Sequence, residues 1–184
     1  ATVLCICVAI PAAYSFARHN YRGKNLVMVC ILLCNMIPQA STLVPLYRAM
    51  DRLQIIDTHF GIAFTHLLCM LPFSIIMLKG FIRTIPPTLE EAAMIDGCTK
   101  LQAIFKIIVP VCSSGIFATA MYAFMISWEE FLYAMTFSTS SRARTISIGL
   151  KMFSTEFKVD WSSILAAATL MTLPILILFF MIQD

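Results

Sequence analysis

The chain has 184 residues, of which 60% are hydrophobic and only 12% are charged, and its formal net charge is +3. Soluble domains average about 45–50% apolar and about 25% charged residues, so this chain has too few charges to cover a water-facing surface, and we expect it to lie in a lipid bilayer. The small, dispersed positive charge argues against nucleic-acid binding.

The chain begins at Ala1 without a methionine and runs straight into apolar sequence, and it stops at Asp184 just after another apolar stretch. We therefore expect it to lack segments at both ends. A signal peptide has basic residues before its apolar part, whereas Arg18, Arg22 and Lys24 follow the apolar start here. The first segment is predicted to be a transmembrane helix.

Five stretches contain no Asp, Glu, Lys or Arg and are 17 to 23 residues long, close to the roughly 20 residues that a helix needs to cross the hydrocarbon core. Backbone groups in lipid must be satisfied internally, which allows helices or closed barrels, and these stretches lack the alternation of barrel strands. The sequence predicts an all-α, polytopic transmembrane helix bundle with five spans in this fragment. The predicted spans are Ala1–Ala17, Asn25–Tyr47, Phe60–Leu78, Ile107–Trp128 and Trp161–Gln183.

The loops between the spans predict the orientation. If Arg18–Lys24 is cytoplasmic, Lys79–Lys106 is cytoplasmic as well, and Arg48–Asp57 and Glu130–Asp160 face outside. The two inside segments contain seven Lys and Arg residues, and the short outside loop contains two. Because long loops cross the membrane largely regardless of charge, the short loops decide the orientation, and they favour this one.

The segment Gly80–Lys106 is too polar to span the membrane and more strongly patterned than an ordinary loop. Pro86 and Pro87 stop the preceding helix. Thr88, followed by Glu91 three residues later, is typical of a capping box. The sequence therefore predicts that a new helix begins here, with Thr88 as its cap.

This helix is predicted to span Leu89–Asp96, about two turns. Glu90 and Glu91 fall in its first turn, where the helix dipole favours negative charge. Gly97 is a typical left-handed stop. A second, amphipathic helix is predicted to follow, because apolar residues recur at i, i+3, i+4 and i+7. These residues are Leu101, Ile104, Phe105 and Ile108.

The short helix has two interpretations. Its Ala92 and Ala93 allow another backbone to approach closely, and its acids offer partners to Arg or Lys, so it can serve as a docking element for another protein on the cytoplasmic side. It can also be a solvated connector whose caps serve only its own stability. An isolated two-turn helix is marginal in water, and the pattern alone leaves both open.

Several polar side chains lie in or near the apolar runs, where such groups usually face the interior of a bundle. Asn35, Gln39, Ser127 and Glu129 are candidates to line a translocation path, and the alternative is that they join helices by hydrogen bonds. His66, inside a run, is expected to be hydrogen-bonded between helices. The seven cysteines show no metal-ligand spacing and are interpreted as small buried hydrophobic residues, so no metal site and no catalytic residue is predicted.

Three short sequences in this region resemble the EAA motif of ATP-binding-cassette (ABC) importer permeases, which runs roughly E-A-A-x-x-D-G with a proline-containing close. They are Glu91-Ala92-Ala93, Asp96-Gly97 and Ile108-Val109-Pro110, and the motif segment covers about residues 86–109. Trp128-Glu129-Glu130-Phe131 and Ala12-Ala13-Tyr14-Ser15-Phe16-Ala17-Arg18 resemble further elements of the maltose-type, carbohydrate-importer branch. The resemblance covers essentially all 184 residues.

The resemblance implies a single transmembrane domain over residues 1–184, cut from a subunit of six helices, in the inner or plasma membrane of a bacterial-type cell. It implies as partners two ABC ATPase subunits, a second permease and an extracytoplasmic binding protein that delivers a sugar or oligosaccharide. The residues implied to couple to the ATPase are Glu90, Glu91, Ala92, Ala93, Asp96 and Gly97, with Glu91 expected to pair with an ATPase Arg or Lys. No cofactor is implied for this chain: ATP and Mg²⁺ belong to the ATPase, and the phosphate-loop pattern is absent from the sequence.

Three alternatives stay open. The first is an ABC permease for another solute, such as glycerol phosphate, a peptide or an amino acid. The second is an intramembrane enzyme, although neither H-E-x-x-H nor G-x-S-x-G occurs. The third is a membrane scaffold without a transport function, which would not need a capped acidic helix.

Overall fold

A computed structural model describes residues 1–151, 153 and 160–183, with side chains to residue 180. The described residues are helical and contain no strand, which confirms the predicted all-α class. Part of the predicted outer loop, residues 152 and 154–159, lies outside the described residues. The α-helices are α1 Thr2–Arg18, α2 Lys24–Met36, α3 Gln39–Arg52, α4 His59–Thr84, α5 Thr88–Ile95, α6 Lys100–Ala103, α7 Val109–Val111, α8 Ser113–Glu129, α9 Leu132–Phe137, α10 Ile146–Lys151 and α11 Trp161–Gln183. A π-helix, Ile104–Ile108, joins α6 to α7, and a 3₁₀ turn covers Ser141–Ala143.

All five predicted runs are helical, but two of them are divided. The predicted span Asn25–Tyr47 is interrupted at Ile37 and Pro38, between α2 and α3. The predicted span beginning at Ile107 is bent by 80° between Val111 and Ser113. Proline accounts for the first break, because it removes a backbone donor and its ring clashes with the preceding turn, and Pro38 lies in that break. Pro110 lies before the second break, and the turn that precedes it is the π-helix Ile104–Ile108.

Length and composition support fewer continuous spans than the five predicted. Among the described residues, two helices are long and apolar enough to cross a bilayer alone, His59–Thr84 and Trp161–Phe180, and each bent pair taken as one span raises the number to four. The first helix, Thr2–Arg18, is apolar but shorter, with 17 residues.

The chain divides into two compact units, which are described separately. Unit 1 contains Ala1–Met36 and Leu67–Phe124, and unit 2 contains Ile37–His66 and the described residues from Met125 onward. The core of unit 1 joins α1 to the end of α4 and to the π-helix. Its buried members include Ala9, Ala13, Tyr14, Phe16, Ile75, Leu78, Ile82, Ile85, Ile104 and Ile108.

The cysteines correct one expectation. None of the seven, all within the described part, forms a disulfide, but only Cys5 and Cys112 are buried. Cys7, Cys30 and Cys34 are exposed on the helix surface, because a helix in lipid can place apolar side chains outward as readily as inward. Apolar context therefore does not indicate burial in this chain.

Candidate functional site

The predicted short helix is present as α5, Thr88–Ile95, but it begins differently from the prediction. Thr88 is its first residue, Pro87 precedes it with φ −59° and ψ −27°, and no side chain caps this end. Since Pro87 already has helical dihedral angles, its carbonyl accepts from the amides of Glu90 and Glu91 at 3.0 and 3.1 Å. The predicted Thr88–Glu91 capping box is therefore wrong. A capping box does form one helix later, between Thr99 and Gln102.

The predicted left-handed stop at Gly97 is confirmed, and α5 ends at Ile95, one residue before the predicted Asp96. Gly97 has φ +88°, a left-handed conformation that costs other L-residues about 1–2 kcal/mol. The amide of Cys98 donates to the carbonyl of Ala93 at 2.9 Å, and the amide of Gly97 donates to that of Met94 at 3.1 Å. These two bonds form a Schellman motif, which satisfies carbonyls that the helix end would otherwise leave unpaired.

The six predicted coupling residues divide by exposure. Glu91, Ala92, Asp96 and Gly97 are exposed, whereas Glu90 and Ala93 are each 7% exposed. Successive residues on a helix are about 100° apart, so the adjacent acids Glu90 and Glu91 point in different directions. Only the exposed four are accessible to another protein.

Glu90 is held by side chains of α1. Its Oε2 accepts a hydrogen bond from the hydroxyl of Tyr14 at 2.7 Å, and its Oε1 lies 2.5 Å from Nε of Arg18. The same guanidinium donates through Nη2 to the carbonyl oxygen of Ile85 at 2.7 Å. Tyr14 and Arg18 are four residues apart and so lie on one face of α1. Arg18 thereby joins α1, the linker after α4, and α5.

Large apolar side chains are exposed on α5 and on the helical segment after it. Ile95 is 86% exposed, Leu101 67% and Phe105 65%, whereas Ile104 and Ile108 are buried. The predicted stripe of Leu101, Ile104, Phe105 and Ile108 is therefore split between two faces. The π-helix explains the split, because its wider turn changes the residue spacing on which the prediction rested.

A second polar cluster lies in unit 2, where α4 and α8 meet. Nδ1 of His66 is 2.8 Å from Oγ of Ser127, which confirms the predicted interhelical hydrogen bond of His66. Nε2 of His66 is 3.1 Å from Oε2 of Glu130. The Glu130 carboxylate also accepts from the backbone amides of Tyr133 and Ala134, at 2.7 and 3.0 Å. Glu130 thus anchors the start of α9.

The environment of Glu130 keeps its carboxyl ionised. Burial raises the pKa of this carboxyl, but the contact with His66 and the two backbone amides more than offset the effect, so its pKa lies below the usual value. The resulting carboxylate accepts from both amides at once, which a protonated acid does less well. The negative charge therefore stabilises the α8–α9 connection.

The other candidate path residues are placed separately. Asn35 is exposed on α2 in unit 1, whereas Gln39, Ser127 and Glu129 belong to unit 2. Ser127 is engaged by His66. Glu129 is exposed and lines a cavity of about 490 Å³ together with Trp128, Phe131, Ser147 and Lys151. The four residues therefore do not form one site within either unit.

Sequence reasoning did not foresee the partners of Glu90. The sequence predicts Arg18 to be a loop cation, and Tyr14 enters only through the resemblance to a helix end. A signal was available, because Tyr14 and Arg18 are polar groups four residues apart at the end of an apolar helix, a pattern typical of a polar partner nearby. Glu130 is not among the residues that the sequence predicts, because a sequence does not show which of two adjacent acids, here Glu129 and Glu130, is buried.

Comparison with known proteins gives a consistent result. The family model described as binding-protein-dependent transport system inner membrane component matches residues 6–184. The sulfoquinovosyl glycerol transport system permease protein SmoH of Agrobacterium fabrum is 35% identical over 183 residues, covering 100% of this chain and 64% of the relative. The diacetylchitobiose uptake system permease protein DasC of Streptomyces coelicolor is 30% identical, and the match covers 100% of this chain and 66% of DasC. The trehalose transport system permease protein SugB of Mycobacterium tuberculosis is 33% identical, and the match covers 99% of this chain and 67% of SugB.

A solved structure shares the fold. It is described as a bacterial ABC transporter involved in the import of the acidic polysaccharide alginate, and it matches with a TM-score of 0.78 at 19% identity, covering 99% of this chain and 70% of that chain. The chain spans slightly less than two thirds of the length of SmoH and DasC.

Proposed function

The chain belongs to the family of binding-protein-dependent transport system inner membrane components, and from that membership we propose that it acts as a permease subunit of an ATP-driven importer. In this proposal it forms the translocation path with a second permease subunit. Two ABC ATPases drive the cycle from the cytoplasmic side, and an extracytoplasmic binding protein delivers the solute. The chain itself carries no ATP-hydrolysing step.

The observation that carries the proposal is the surface around α5. This helix is short, closed by the Schellman motif at Gly97, and exposes Glu91 and Asp96 beside Ile95. Exposed apolar side chains flanked by polar groups are typical of protein interaction sites. A rigid helix of this kind between membrane segments suits a complementary groove on a separate ATPase subunit, and its acids suit Arg or Lys side chains in that groove.

A sugar or oligosaccharide is the proposed class of solute. The names of SmoH, DasC and SugB give sulfoquinovosyl glycerol, diacetylchitobiose and trehalose as their solutes, all of which contain sugar units. Among the described residues, the cavity beside Glu129 supports that class, because Trp128 and polar side chains are adjacent there. An aromatic ring beside hydrogen-bonding groups suits a molecule that has both apolar and hydroxyl-bearing faces.

The test has two parts. The tagged, full-length protein is purified from its host membrane in mild detergent, and co-purifying subunits are identified by mass spectrometry. Uptake of radiolabelled trehalose, maltose and diacetylchitobiose is then compared between a host lacking the gene and the same host complemented with it. An ATPase subunit in the complex, with gene-dependent uptake of one of these sugars, supports the proposal. Absence of any ATPase subunit contradicts it, and uptake of none of the sugars contradicts the solute class.

A further inference from the structure

We infer that the Arg18–Glu90 ion pair transmits displacement of α5 to α1, and that Glu90 is a positioning residue that faces its own subunit rather than the ATPase. The inference rests on the proposed function, because the displacement is the one that a bound ATPase would impose. The inference gives the two adjacent acids of α5 different roles: Glu91 is available to the ATPase, and Glu90 connects α5 to the membrane helices.

The attachment of α5 to unit 1 depends on few side chains. Only Glu90 and Ala93 of its eight residues are buried, and Ala93 contributes a single methyl group. A two-turn helix has little stability of its own, so its orientation is set by its neighbours. α5 also packs against α6 and the π-helix, whereas its described side-chain bonds to α1 are those of Glu90, so the polar contacts of Glu90 are the direct link from α5 to α1.

The geometry of these contacts is rigid. Both oxygens of Glu90 are used, one by Arg18 and the other by Tyr14, and Arg18 also holds the carbonyl oxygen of Ile85. The planar guanidinium presents its donors in a fixed fork, so one side chain sets the positions of two points on either side of Pro86 and Pro87. The linker between α4 and α5 is thereby prevented from acting as a free hinge.

The surroundings strengthen the link. The side chains of Arg18 and Glu90 are only 12% and 9% exposed, and charges removed from water interact more strongly than exposed charges. Tyr14 and Ile85 also belong to the apolar core that connects α1, α4 and the π-helix. A displacement of α5 is therefore transmitted to α1 through a mostly buried ion pair with several hydrogen bonds, rather than through an exposed ion pair.

The test uses the complete transporter reconstituted in proteoliposomes, with ATP hydrolysis measured per assembled complex with and without the binding protein of the same importer. Arg18→Lys keeps the charge, but a single ammonium does not reproduce the fork that holds both Glu90 and Ile85. We expect the ATPase subunits to stay bound while the stimulation of hydrolysis by the binding protein falls about fivefold or more, the lower end of usual allosteric couplings. Glu90→Gln is expected to change the stimulation in the same direction.

The matched control is Arg22→Lys, which makes the same substitution at an exposed arginine in the adjacent loop and should leave the stimulation at its wild-type value. Unchanged stimulation in Arg18→Lys and Glu90→Gln overturns the inference. A lower yield of complex with unchanged stimulation also overturns it, because the pair would then serve folding alone. If the wild-type complex contains no ATPase subunit, the proposed function fails at the purification step, and the inference fails with it.

Discussion

The amide of Cys98 donates to the carbonyl oxygen of Ala93 at 2.9 Å, across a glycine whose φ is +88°. This bond closes α5 and sets the direction in which the chain leaves it. Gly97 is required there by its backbone conformation rather than by crowding, since a Cβ at this position would meet nothing within 4 Å.

Replacing Gly97 with valine should impair coupling without preventing membrane insertion. A β-branched residue in this left-handed conformation costs about 1–2 kcal/mol, which favours unwinding of the last turn of α5. We expect reduced ATPase co-purification and reduced uptake, at normal levels of the protein in the membrane. Gly80→Val is the control, because Gly80 lies inside α4 with no positive φ and also has open space at Cβ. Wild-type uptake in Gly97→Val would show that the α5 end has no docking role.

Reversing the charge of Glu91 should weaken ATPase binding and leave the fold intact. Glu91 is exposed and forms no described contact with α1, unlike its neighbour Glu90. Pull-down of the ATPase by the Glu91→Lys variant should therefore fall, while the thermal unfolding temperature stays the same. Asp51→Lys makes the same charge change at an exposed acid on α3 and should leave the pull-down unaffected. Equal pull-down by both variants would remove Glu91 from the interface.

Removing the Glu130 carboxylate should destabilise the protein, whereas removing the adjacent Glu129 carboxylate should not. Glu130→Leu leaves the backbone amides of Tyr133 and Ala134 without their acceptor, and each buried unsatisfied polar group costs about 1–3 kcal/mol. Glu129 is exposed, and surface substitutions usually change stability by about 0.5 kcal/mol or less. Thermal unfolding in detergent measures the difference. Similar melting temperatures for Glu130→Leu and Glu129→Leu would contradict the structural role of Glu130.

The stabilisation provided by Asp57 should be lost in acid. Its carboxylate accepts from the hydroxyl of Ser140 and from the backbone amides of Ser140 and Thr139, at 2.5, 3.0 and 3.1 Å, and these bonds hold its pKa below the usual value. A carboxyl whose pKa is lowered on folding stabilises the protein above its unfolded pKa of about 3.9, and the contribution disappears as pH falls through the lower, folded value.

We therefore expect Asp57→Asn to unfold at a lower temperature than the wild type at pH 7, and the gap to close as the pH is lowered below about 4. Asp51→Asn, at an exposed acid on α3, serves as the control and should show no comparable gap at pH 7. A gap for Asp57→Asn that stays constant from pH 7 to pH 3 would indicate that its charge is not involved.

The sequence predicted the helical class and the place of the short acidic helix, because both depend on local properties. Charge-free runs indicate helices in lipid whatever their direction, and the glycine at position 97 indicates a left-handed stop whatever its surroundings. The left-handed conformation of Gly97 was therefore predicted correctly, and the helix ends one residue before the predicted position.

The features that were missed depend on neighbours distant in sequence or on a change of helical type. Thr88 and Thr99 are each followed three residues later by a capping-box partner. The helical dihedral angles of Pro87 place Thr88 inside the helix, so the first box does not form, whereas Thr99 has extended dihedral angles and forms the second. Glu90 turns inward because Arg18, 72 residues earlier, lies beside it. The predicted stripe after α5 depends on a uniform spacing of 3.6 residues, which does not hold across Ile104–Ile108 because this segment forms a π-helix.

That wider turn has a consequence for the segments on either side of it. Each residue advances an α-helix by about 100°, so the single extra residue accommodated by a π turn re-phases everything downstream. The direction in which the side chains after the π-helix point is consequently rotated relative to the direction of those before it, although the helical chain is continuous. Deleting one residue from Ile104–Ile108 would convert the π turn into an α-helical turn. The membrane segment that follows would then be rotated about its axis, with almost no change in its composition.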